Sequence, residues 1–136
     1  APAETVVPDD LWQRDTDACC AIRKVAPLEH ALANKSAWIT GLRRDDSASR
    51  ANTPLVSHDM LRDVIKVNPL ANFTQSDYDK YLEVHGLNEH PLTTQGYTSN
   101  GCWPCTQPAT ADGDARSGRW AGTEKTECGL HTRATV

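Results

Sequence analysis

The sequence predicts a small α/β protein, and three observations lead to this fold class. Segments whose apolar residues recur at helical spacing alternate with short apolar runs typical of buried strands, through the first two-thirds of the chain. The length of 136 residues suits a single domain, 1–136, with one modest hydrophobic core. Eight glycines and eight prolines indicate many turns, and from Pro91 onward the chain shows no sustained periodicity. We therefore expect an α/β part followed by an irregular, cysteine-rich C-terminal region.

The first predicted element is a helix over residues 20–33. It follows a polar, proline-interrupted stretch, 1–18, that we expect to be irregular. Pro27 lies inside the helix and predicts either a kink or the start of a new helix at that residue. The apolar positions at helical spacing are Ile22, Val25, Leu28 and Leu32.

Two short strands are predicted next, over residues 37–41 and 63–67. Asn68-Pro69 closes the second strand, since proline does not continue a central strand. Two strands alone do not make a stable sheet, so the sequence predicts that part of the sheet is missing.

A second helix is predicted after Thr74. Asp77 follows this threonine by three residues, and the pair resembles a capping box, which satisfies free backbone N–H groups at a helix start. Gly86 is a suitable stop at the other end. One face of this helix would carry Tyr78, Tyr81, Leu82 and His85.

Charge and hydropathy argue against two classes of partner. The formal net charge of −4 disfavours nucleic acid, whose binding proteins usually carry a basic excess on one face. No apolar run approaches the roughly 18–20 residues that span a bilayer. The N-terminus, Ala1-Pro2-Ala3-Glu4, lacks the basic start and apolar stretch of a signal peptide. We expect a soluble, cytoplasmic protein with no nucleic-acid or membrane partner.

Five cysteines are the most informative feature of the composition. An odd number in a chain without a secretory signal is poor support for a disulfide framework. Clustered thiols in a reducing compartment favour metal binding or catalysis instead. Cys19 and Cys20 are adjacent, Cys102 and Cys105 form a CxxC pair, and Cys128 stands apart near the C-terminus.

The first four of these cysteines are candidate metal ligands. Four thiolates suit either a tetrahedral zinc ion or a [4Fe–4S] cluster. Adjacent cysteines are awkward ligands for one zinc ion because neighbouring side chains diverge, whereas a cluster offers separate iron atoms. Spacing alone favours iron–sulfur, and zinc or unliganded thiols stay open as alternatives.

Cys128 is the candidate nucleophile, although a lone cysteine near a terminus is more often structural than catalytic. Gly129 frees the backbone beside the thiol, and the polar flanking sequence argues against burial in a core. His131 is close enough in sequence to bond a substrate anion or to stabilise the thiolate. Glu127 would raise the pKa of the thiol if it lay close.

Six short motifs lie between residues 17 and 131. They are Cys19-Cys20-Ala21-Ile22-Arg23-Lys24-Val25-Ala26-Pro27-Leu28, Trp38-Ile39-Thr40-Gly41-Leu42-Arg43-Arg44, Asn68-Pro69-Leu70, Gly96-Tyr97-Thr98-Ser99-Asn100-Gly101-Cys102-Trp103-Pro104-Cys105-Thr106, Arg116-Ser117-Gly118-Arg119-Trp120 and Glu127-Cys128-Gly129-Leu130-His131. In this order they resemble the assimilatory adenylylsulfate reductases of the phosphoadenylylsulfate reductase family. The chain is similar to the C-terminal half of such a reductase, and the motifs together are highly specific.

This resemblance implies a fold, a cofactor and a reaction. The fold would be the C-terminal part of an adenine-nucleotide alpha-hydrolase-like domain of the PP-loop type, with a cluster-binding part at 17–110 and a mobile catalytic tail at 111–136. The paired cysteines, Cys19 with Cys20 and Cys102 with Cys105, would hold a [4Fe–4S] cluster. In sulfate assimilation, Cys128 would attack the sulfur of adenylylsulfate, AMP would leave, and thioredoxin or a similar dithiol would release sulfite from the S-sulfocysteine.

Basic residues must neutralise an anionic substrate that a thiolate approaches. The family motifs imply that five residues contact the phosphosulfate or nearby groups: Lys24, Arg50, Arg116, Arg119 and His131. Two guanidinium groups at the spacing of Arg116 and Arg119 suit one anion. Each basic residue, taken singly, is also compatible with a solvated surface position. Weaker candidates are Arg43 and Arg44.

The sequence departs from the family pattern in one major respect. The family's enzymes carry a further N-terminal region with a Ser/Gly-rich phosphate-binding loop, which nothing here resembles. The chain is therefore expected to be a fragment or to be complemented by another chain. Two minor departures are Asp46, where the family usually has Gln, and Phe73, which replaces a common Trp.

Other interpretations stay open at this stage. The protein could be a reductase that also accepts 3′-phosphoadenylylsulfate, or a non-catalytic metal-binding module in which Cys128 is idle. A homo-oligomer is compatible with the sequence. Trp38, Trp103 and Trp120 are interpreted as packing residues.

Overall fold

The N-terminal part of the chain is helical in the computed structural model, which describes residues 8–131. Helix α1 spans Leu11–Arg14, α2 spans Thr16–Cys20 and α3 spans Ala26–Leu32. The expectation that 1–18 is irregular is therefore wrong from Leu11 onward, and residues 1–7 lie outside the described part. Helix α2 begins after Asp15 because the carboxylate of Asp15 accepts a hydrogen bond from the backbone N–H of Ala18 at 2.9 Å.

A π-helical turn at Ala21–Val25 joins α2 to α3, so the backbone stays helical from Thr16 to Leu32. Pro27 lies in the first turn of α3, directly after the π-helical turn, and has no backbone N–H to donate to that turn. The predicted new helix start is confirmed, since α3 begins at Ala26. The helical backbone is nevertheless unbroken, because the π-helical turn leads directly into α3. Single π-helical turns often lie at functional sites, and this one directly follows Cys20 and carries Lys24.

Three strands form one mixed sheet in the order β1-β3-β2. Strand β1 spans Ala37–Ile39, β2 spans Val56–Asp59 and β3 spans Val64–Val67. β1 is parallel to β3, with Ala37 opposite Ile65, and β2 is antiparallel to β3.

The two predicted strands are confirmed with shorter bounds, and the strand between them was missed. Strand β3 starts at Val64, because Asp63 has a φ of 51° in the turn that links it to β2. Strand β2 escaped prediction because Val56-Ser57-His58-Asp59 is largely polar. The strand is defined by its antiparallel hydrogen bonds to β3, which its composition does not predict.

The two faces of this sheet differ in chemistry. Trp38, Ser57 and Lys66 are in register with one another across the three strands and share one face. Lys66 on that face is only 6 % exposed, whereas Ile39 on the opposite face is 74 % exposed. The face with the polar side chains therefore forms the floor of the candidate site described below.

Helix α4 spans Gln75–His85 and confirms the predicted capping box. The hydroxyl of Thr74 accepts a hydrogen bond from the backbone N–H of Asp77, and the Asp77 carboxylate accepts one from the backbone N–H of Thr74. Gly86 ends the helix with a φ of 59°, the left-handed conformation that glycine adopts without strain.

Residues 87–131 contain two 3₁₀ turns, Thr93–Gln95 and Trp103–Cys105, and one isolated β-bridge between Thr106 and Arg119. None of the helices found within residues 8–131 is both long and apolar enough to cross a membrane. The molecule is thus a small mixed α/β structure. Its assignment to the PP-loop type, and the division at 17–110 and 111–136, stay predictions.

Candidate active site

Both cysteine pairs lie around one cavity. Cys19 and Cys20 occupy the last turn of α2, and Cys102 and Cys105 bound the turn Trp103–Cys105. All four residues line a cavity of about 570 Å³. The backbone N–H of Cys105 donates to the carbonyl oxygen of Cys102 at 2.9 Å, which closes the CxxC segment into a tight turn. The structure therefore brings together thiols that are far apart in sequence.

The chemistry of this cavity fits an iron–sulfur cluster. All four thiols are free of disulfide bonds, and thiolates are the usual ligands of such clusters. Burial raises the pKa of Cys20 and of Cys105. Within residues 8–131, no three Cys, His, Asp or Glu side chains gather closely enough to hold a single metal ion. The fit therefore depends on the set of donors and on their shared cavity.

Trp120 lines the same cavity and is surrounded by cations. Its side chain is buried, and its φ of 50° is rare for a large residue. Its backbone N–H donates to the carbonyl oxygen of Cys105 at 2.9 Å, which anchors it beside the CxxC turn. Four cationic groups lie 4.8–5.9 Å from its ring centroid: Lys24, Arg116, Arg119 and Lys125. Trp120 is thus more than a packing residue, because it contacts both the cysteine cavity and the basic side chains.

Two of the predicted substrate-binding residues lie on the cysteine side of Trp120. Lys24 lines the cysteine cavity. Arg119 donates from Nη1 to the carbonyl oxygen of Asn100 at 2.8 Å and to the hydroxyl of Ser99 at 3.3 Å. In this arrangement Arg119 holds the segment that leads into the CxxC turn.

Glu127 connects the C-terminal segment to two other predicted residues. Arg50 donates to its carboxylate twice, from Nε to Oε1 at 2.8 Å and from Nη2 to Oε2 at 3.1 Å. Arg116 donates from Nη2 to Oε2 at 3.3 Å. Burial acts to raise the pKa of Glu127, but the hydrogen bond from Arg50 and the charges of both guanidinium groups outweigh it and lower that pKa. The carboxylate is therefore ionised at neutral pH.

Cys128 lies near Cys20 and Lys125, and the residue before it, Glu127, contacts the arginine pair. Its thiol is half-buried, and its charge is one of the smaller influences on the pKa of Cys20, after burial and the charges of two lysines. Lys125, three residues earlier, forms an ion pair with Asp17 of α2. Gly129 has a φ of 91°, so the chain turns directly after the thiol in a conformation that suits glycine.

A second cavity, of about 620 Å³, lies over the polar side of the sheet. Arg50, Lys66, Glu127, Gly129 and His131 are among the residues that line it. Burial, followed by the charges of Lys66 and Arg50, lowers the pKa of His131 to about 4. His131 is therefore neutral at physiological pH and can donate or accept a single hydrogen bond at each ring nitrogen.

Lys66 and Trp38 belong to this site, and the sequence interpretation did not include them. The Nζ atom of Lys66 lies 5.1 Å from the ring centroid of Trp38. Burial lowers the pKa of Lys66, although the nearby charge of Asp59 opposes this shift. A signal was present in the sequence, because Lys66 lies at an alternating position within an otherwise apolar strand, where an unpaired lysine is uncommon.

Arg43 and Arg44 hold loops of the fold. Arg43 pairs with Asp46 at 2.7 Å, and Arg44 donates from Nε to the carbonyl oxygen of Thr53 at 2.8 Å. Asp46 also pairs with Arg50 at 3.3 Å, so the residue that departs from the family pattern contacts one of the predicted substrate-binding residues.

Residues 2–108 match the family model of the phosphoadenosine phosphosulfate reductase domain, so the chain belongs to that family. Among its curated relatives are proteins named adenosine 5′-phosphosulfate reductase. The protein from Streptomyces coelicolor is 52% identical over 136 aligned residues, which cover 96% of this chain and 58% of the relative. The one from Salinibacter ruber is 51% identical over 125 residues, covering 91% of this chain and 50% of the relative. The chain thus spans about half the length of these relatives.

A solved structure supports the fold. The crystal structure of a phosphoadenylyl-sulfate (PAPS) reductase from Candida auris, in a phosphate complex, superposes with a TM-score of 0.60 at 26% identity. The similarity covers 71% of this chain and 46% of that structure. The family membership and a mixed α/β architecture are therefore established.

Proposed function

We propose that this chain carries the sulfur-transfer chemistry of an assimilatory adenylylsulfate reductase. The intact protein reduces adenylylsulfate to sulfite and AMP, with thioredoxin or a similar dithiol as reductant. The single observation that carries the proposal is the docking of Glu127 on Arg50 and Arg116. Cys128 follows Glu127 directly in the chain, so the proposed nucleophile is next in sequence to a residue held by two guanidinium groups, whose geometry suits sulfate and phosphate oxygens.

The first half-reaction forms a bond between the Sγ atom of Cys128 and the sulfur of adenylylsulfate. The bond from that sulfur to the bridging phosphate oxygen breaks, and its electron pair leaves with AMP. Arg50 and Arg116 neutralise the oxygens that repel the incoming thiolate, and neutral His131 donates a further hydrogen bond. Lys24 and Arg119 contribute positive charge from the other side of Trp120. The product is an S-sulfocysteine.

The second half-reaction needs an external reductant. One thiolate of the dithiol attacks Sγ of the S-sulfocysteine, and sulfite leaves with the electron pair of the broken sulfur–sulfur bond. The second thiol of the reductant then displaces Cys128 from the mixed disulfide. The reductant leaves as a disulfide, oxidised by two electrons, and Cys128 is again a free thiol. Because a protein reductant is bulky, the segment after residue 111 must leave the cavity for this step.

The four paired cysteines are proposed to hold a [4Fe–4S] cluster, with Cys19 and Cys20 supplied by α2 and Cys102 and Cys105 by the CxxC turn. When bound, the cluster supplies structural cross-linking and an electrostatic field next to the site. Lys24 lines the same cavity, so its ammonium group is placed to act on both the cluster and the anionic substrate. Trp120 is buried beside the same cavity, so it would help to shield the cluster from water.

Intact-mass analysis after anaerobic incubation with adenylylsulfate tests the proposal. A sulfonate adduct is expected on the unmodified chain and is expected to be absent from Cys128→Ser. Subsequent thioredoxin should remove the adduct and release sulfite. A protein that retains iron and sulfide but never forms the adduct would refute the proposed activity for this chain.

A reductase that also accepts 3′-phosphoadenylylsulfate is the second candidate, because the structural relative from Candida auris is named for that nucleotide. The two nucleotides differ by one phosphate on the ribose. Adduct formation with each nucleotide at equal concentration, followed over time, separates a strict adenylylsulfate enzyme from a dual one.

A further inference from the structure

We propose that Glu127 is a positioning residue that occupies the substrate's anion site in the resting protein. Its carboxylate holds Arg50 and Arg116, and thereby Cys128, until a sulfate or phosphate group of the substrate takes its place. The inference rests on the proposed function for the identity of the substrate. Its structural part concerns only the exchange of one anion for another.

The geometry of Glu127 is that of a bound oxyanion. Arg50 makes two nearly parallel hydrogen bonds to the two carboxylate oxygens, at 2.8 and 3.1 Å, in the fork-to-fork arrangement of bidentate recognition. Arg116 adds a third at 3.3 Å. A tetrahedral sulfate or phosphate group presents two oxygens at a similar spacing, so it can make the same contacts.

The arginine pair needs an anion because it is withdrawn from water. The side chain of Arg50 is 13% exposed and that of Arg116 is 10% exposed. Besides Glu127, the carboxylate that pairs with Arg50 is Asp46, which is shared with Arg43. Without Glu127, the Arg116 side chain would have no carboxylate partner among residues 8–131, and Arg50 would share Asp46 with Arg43, which is unfavourable for desolvated guanidinium groups. An anion must therefore fill this position in the resting protein and in the substrate complex.

Glu127 leaves part of the site unused. The Nε atom of Arg116 and the hydroxyl of Ser57 are buried and have no hydrogen-bond partner among residues 8–131. The Nδ1 atom of His131 is in the same condition, and both Ser57 and His131 line the second cavity. A carboxylate has two oxygens, whereas a sulfate or phosphate group has three or more that can reach such donors. The unused groups thus favour a larger oxyanion than the one that is present.

Exchange of the anion would move the nucleophile. Glu127 and Cys128 are consecutive, so their Cα atoms lie about 3.8 Å apart and move together. While Glu127 is bound, its negative charge also opposes the approach of an anionic substrate. When the substrate displaces it, Cys128 becomes free to approach the sulfur held by the same arginines, and Gly129 offers a pivot directly behind it.

The rate of Cys128 alkylation by iodoacetamide, followed by peptide mapping, tests this exchange without any turnover. In the unmodified chain, inorganic sulfate should accelerate alkylation of Cys128 relative to chloride at equal ionic strength. In Glu127→Gln, alkylation should be at least about tenfold faster than in the unmodified chain without sulfate, and insensitive to sulfate; tenfold corresponds to about 1.4 kcal/mol. Glu127→Asp keeps the charge and should restore part of the sulfate response.

Glu124→Gln is the matched control, since it removes one negative charge from an exposed position three residues before Glu127. It should behave like the unmodified protein. A sulfate-insensitive rate in the unmodified chain, or a Glu127→Gln rate equal to that of the control, would overturn the proposal. The sulfate response is measured on the unmodified chain, so a folding defect in Glu127→Gln does not affect that test.

The same preparations separate this inference from the proposed function. If the chain forms an adduct with adenylylsulfate, but neither sulfate nor Glu127→Gln changes the alkylation rate of Cys128, the proposed activity is supported and the anion exchange is refuted. If sulfate changes the alkylation rate of Cys128 but no adduct forms with adenylylsulfate, the anion exchange is supported and the proposed activity is refuted.

Discussion

The imidazole of His131 stacks on the indole of Trp38, with ring centroids 5.5 Å apart and 12° between the ring planes. This contact joins the last described residue of the chain to strand β1. It also places the imidazole beside Lys66, whose ammonium group lies against the same indole. Burial and the neighbouring cations all oppose a second positive charge here, which is why the pKa of His131 falls to about 4.

Stability should therefore depend on pH through His131. Between its ordinary pKa of 6.5 and about 4, the unfolded chain binds a proton that the folded chain excludes. The contribution of His131 is thus complete above pH 6.5 and is lost as the pH falls toward 4, by up to about 3 kcal/mol. Urea unfolding at a series of pH values in this window measures it.

The variant His131→Gln isolates this contribution, because glutamine does not titrate. Its free energy of unfolding should fall less steeply than that of the unmodified chain between pH 6.5 and 4.5. Carboxylates such as Glu127 titrate in both proteins, so the difference between the two curves belongs to His131. Identical slopes would show that the imidazole is protonated freely in the folded state.

Lys66→Met tests whether Lys66 serves the anion site. Removing a desolvated ammonium group should leave the free energy of unfolding unchanged or raise it by about 1 kcal/mol, since its burial is costly. Affinity for inorganic sulfate should fall about tenfold, because a cation at the cavity is lost. Calorimetric titration with sulfate and urea unfolding measure the two effects.

The same variant makes a second, spectroscopic test possible. Because Lys66 lowers the pKa of His131, that pKa should move upward toward 6.5 in Lys66→Met, as followed by NMR titration of the imidazole. Lys35→Met, at an exposed position, is the control and should change neither quantity. Weaker unfolding stability together with unaltered sulfate affinity would assign Lys66 a structural role alone.

Elements that depend on residues close together in sequence were predicted better than elements that depend on pairing between distant segments. Thr74, Asp77 and Gly86 define α4 within thirteen residues, and each acts at the position that the sequence predicts. Strand β2 was missed because its assignment depends on pairing with β3, which a largely polar tetrapeptide does not reveal. The short helices before Cys20 were missed for a related reason, since they contain few apolar residues and α2 begins at the side-chain cap of Asp15.

The site shows the same division. The chemistry of the cysteines and arginines could be inferred from residue type, spacing and family resemblance. Their partners could not, because Arg50 meets Glu127, and Trp38 meets His131, only after the C-terminal segment folds over the sheet. Glu127 was expected to act on the pKa of its neighbour, whereas its carboxylate is committed to two guanidinium groups.

Iron content separates the roles of the cysteines. Cys20→Ser should abolish or strongly reduce bound iron and sulfide after anaerobic reconstitution, because it removes a buried donor from the cysteine cavity. Cys128→Ser should retain both. Iron and sulfide analysis with visible absorption provides the measurement. Zinc in place of iron, or loss of iron from Cys128→Ser as well, would contradict the proposed division between ligands and nucleophile.

Gly118 should be intolerant of a side chain, and the reason lies in the loop that carries the two predicted arginines. The backbone N–H of Gln107 donates to the carbonyl oxygen of Gly118 at 2.8 Å, and a Cβ at Gly118 would collide with the carbonyl oxygen of Gln107. Because the obstacle is backbone, relief requires the two segments to separate. Gly118→Ala should therefore cost about 1–3 kcal/mol in the free energy of unfolding and weaken sulfate binding through Arg116.

Gly41→Ala is the matched control for this substitution, because a Cβ there would meet no atom within 4 Å. It should be nearly neutral in urea unfolding and in sulfate titration. If Gly118→Ala weakened sulfate binding without lowering the free energy of unfolding, the loop would be adjustable, and the arginine would be displaced rather than the fold strained. If both variants matched the unmodified chain, the close approach of Gly118 to Gln107 would not exist in solution.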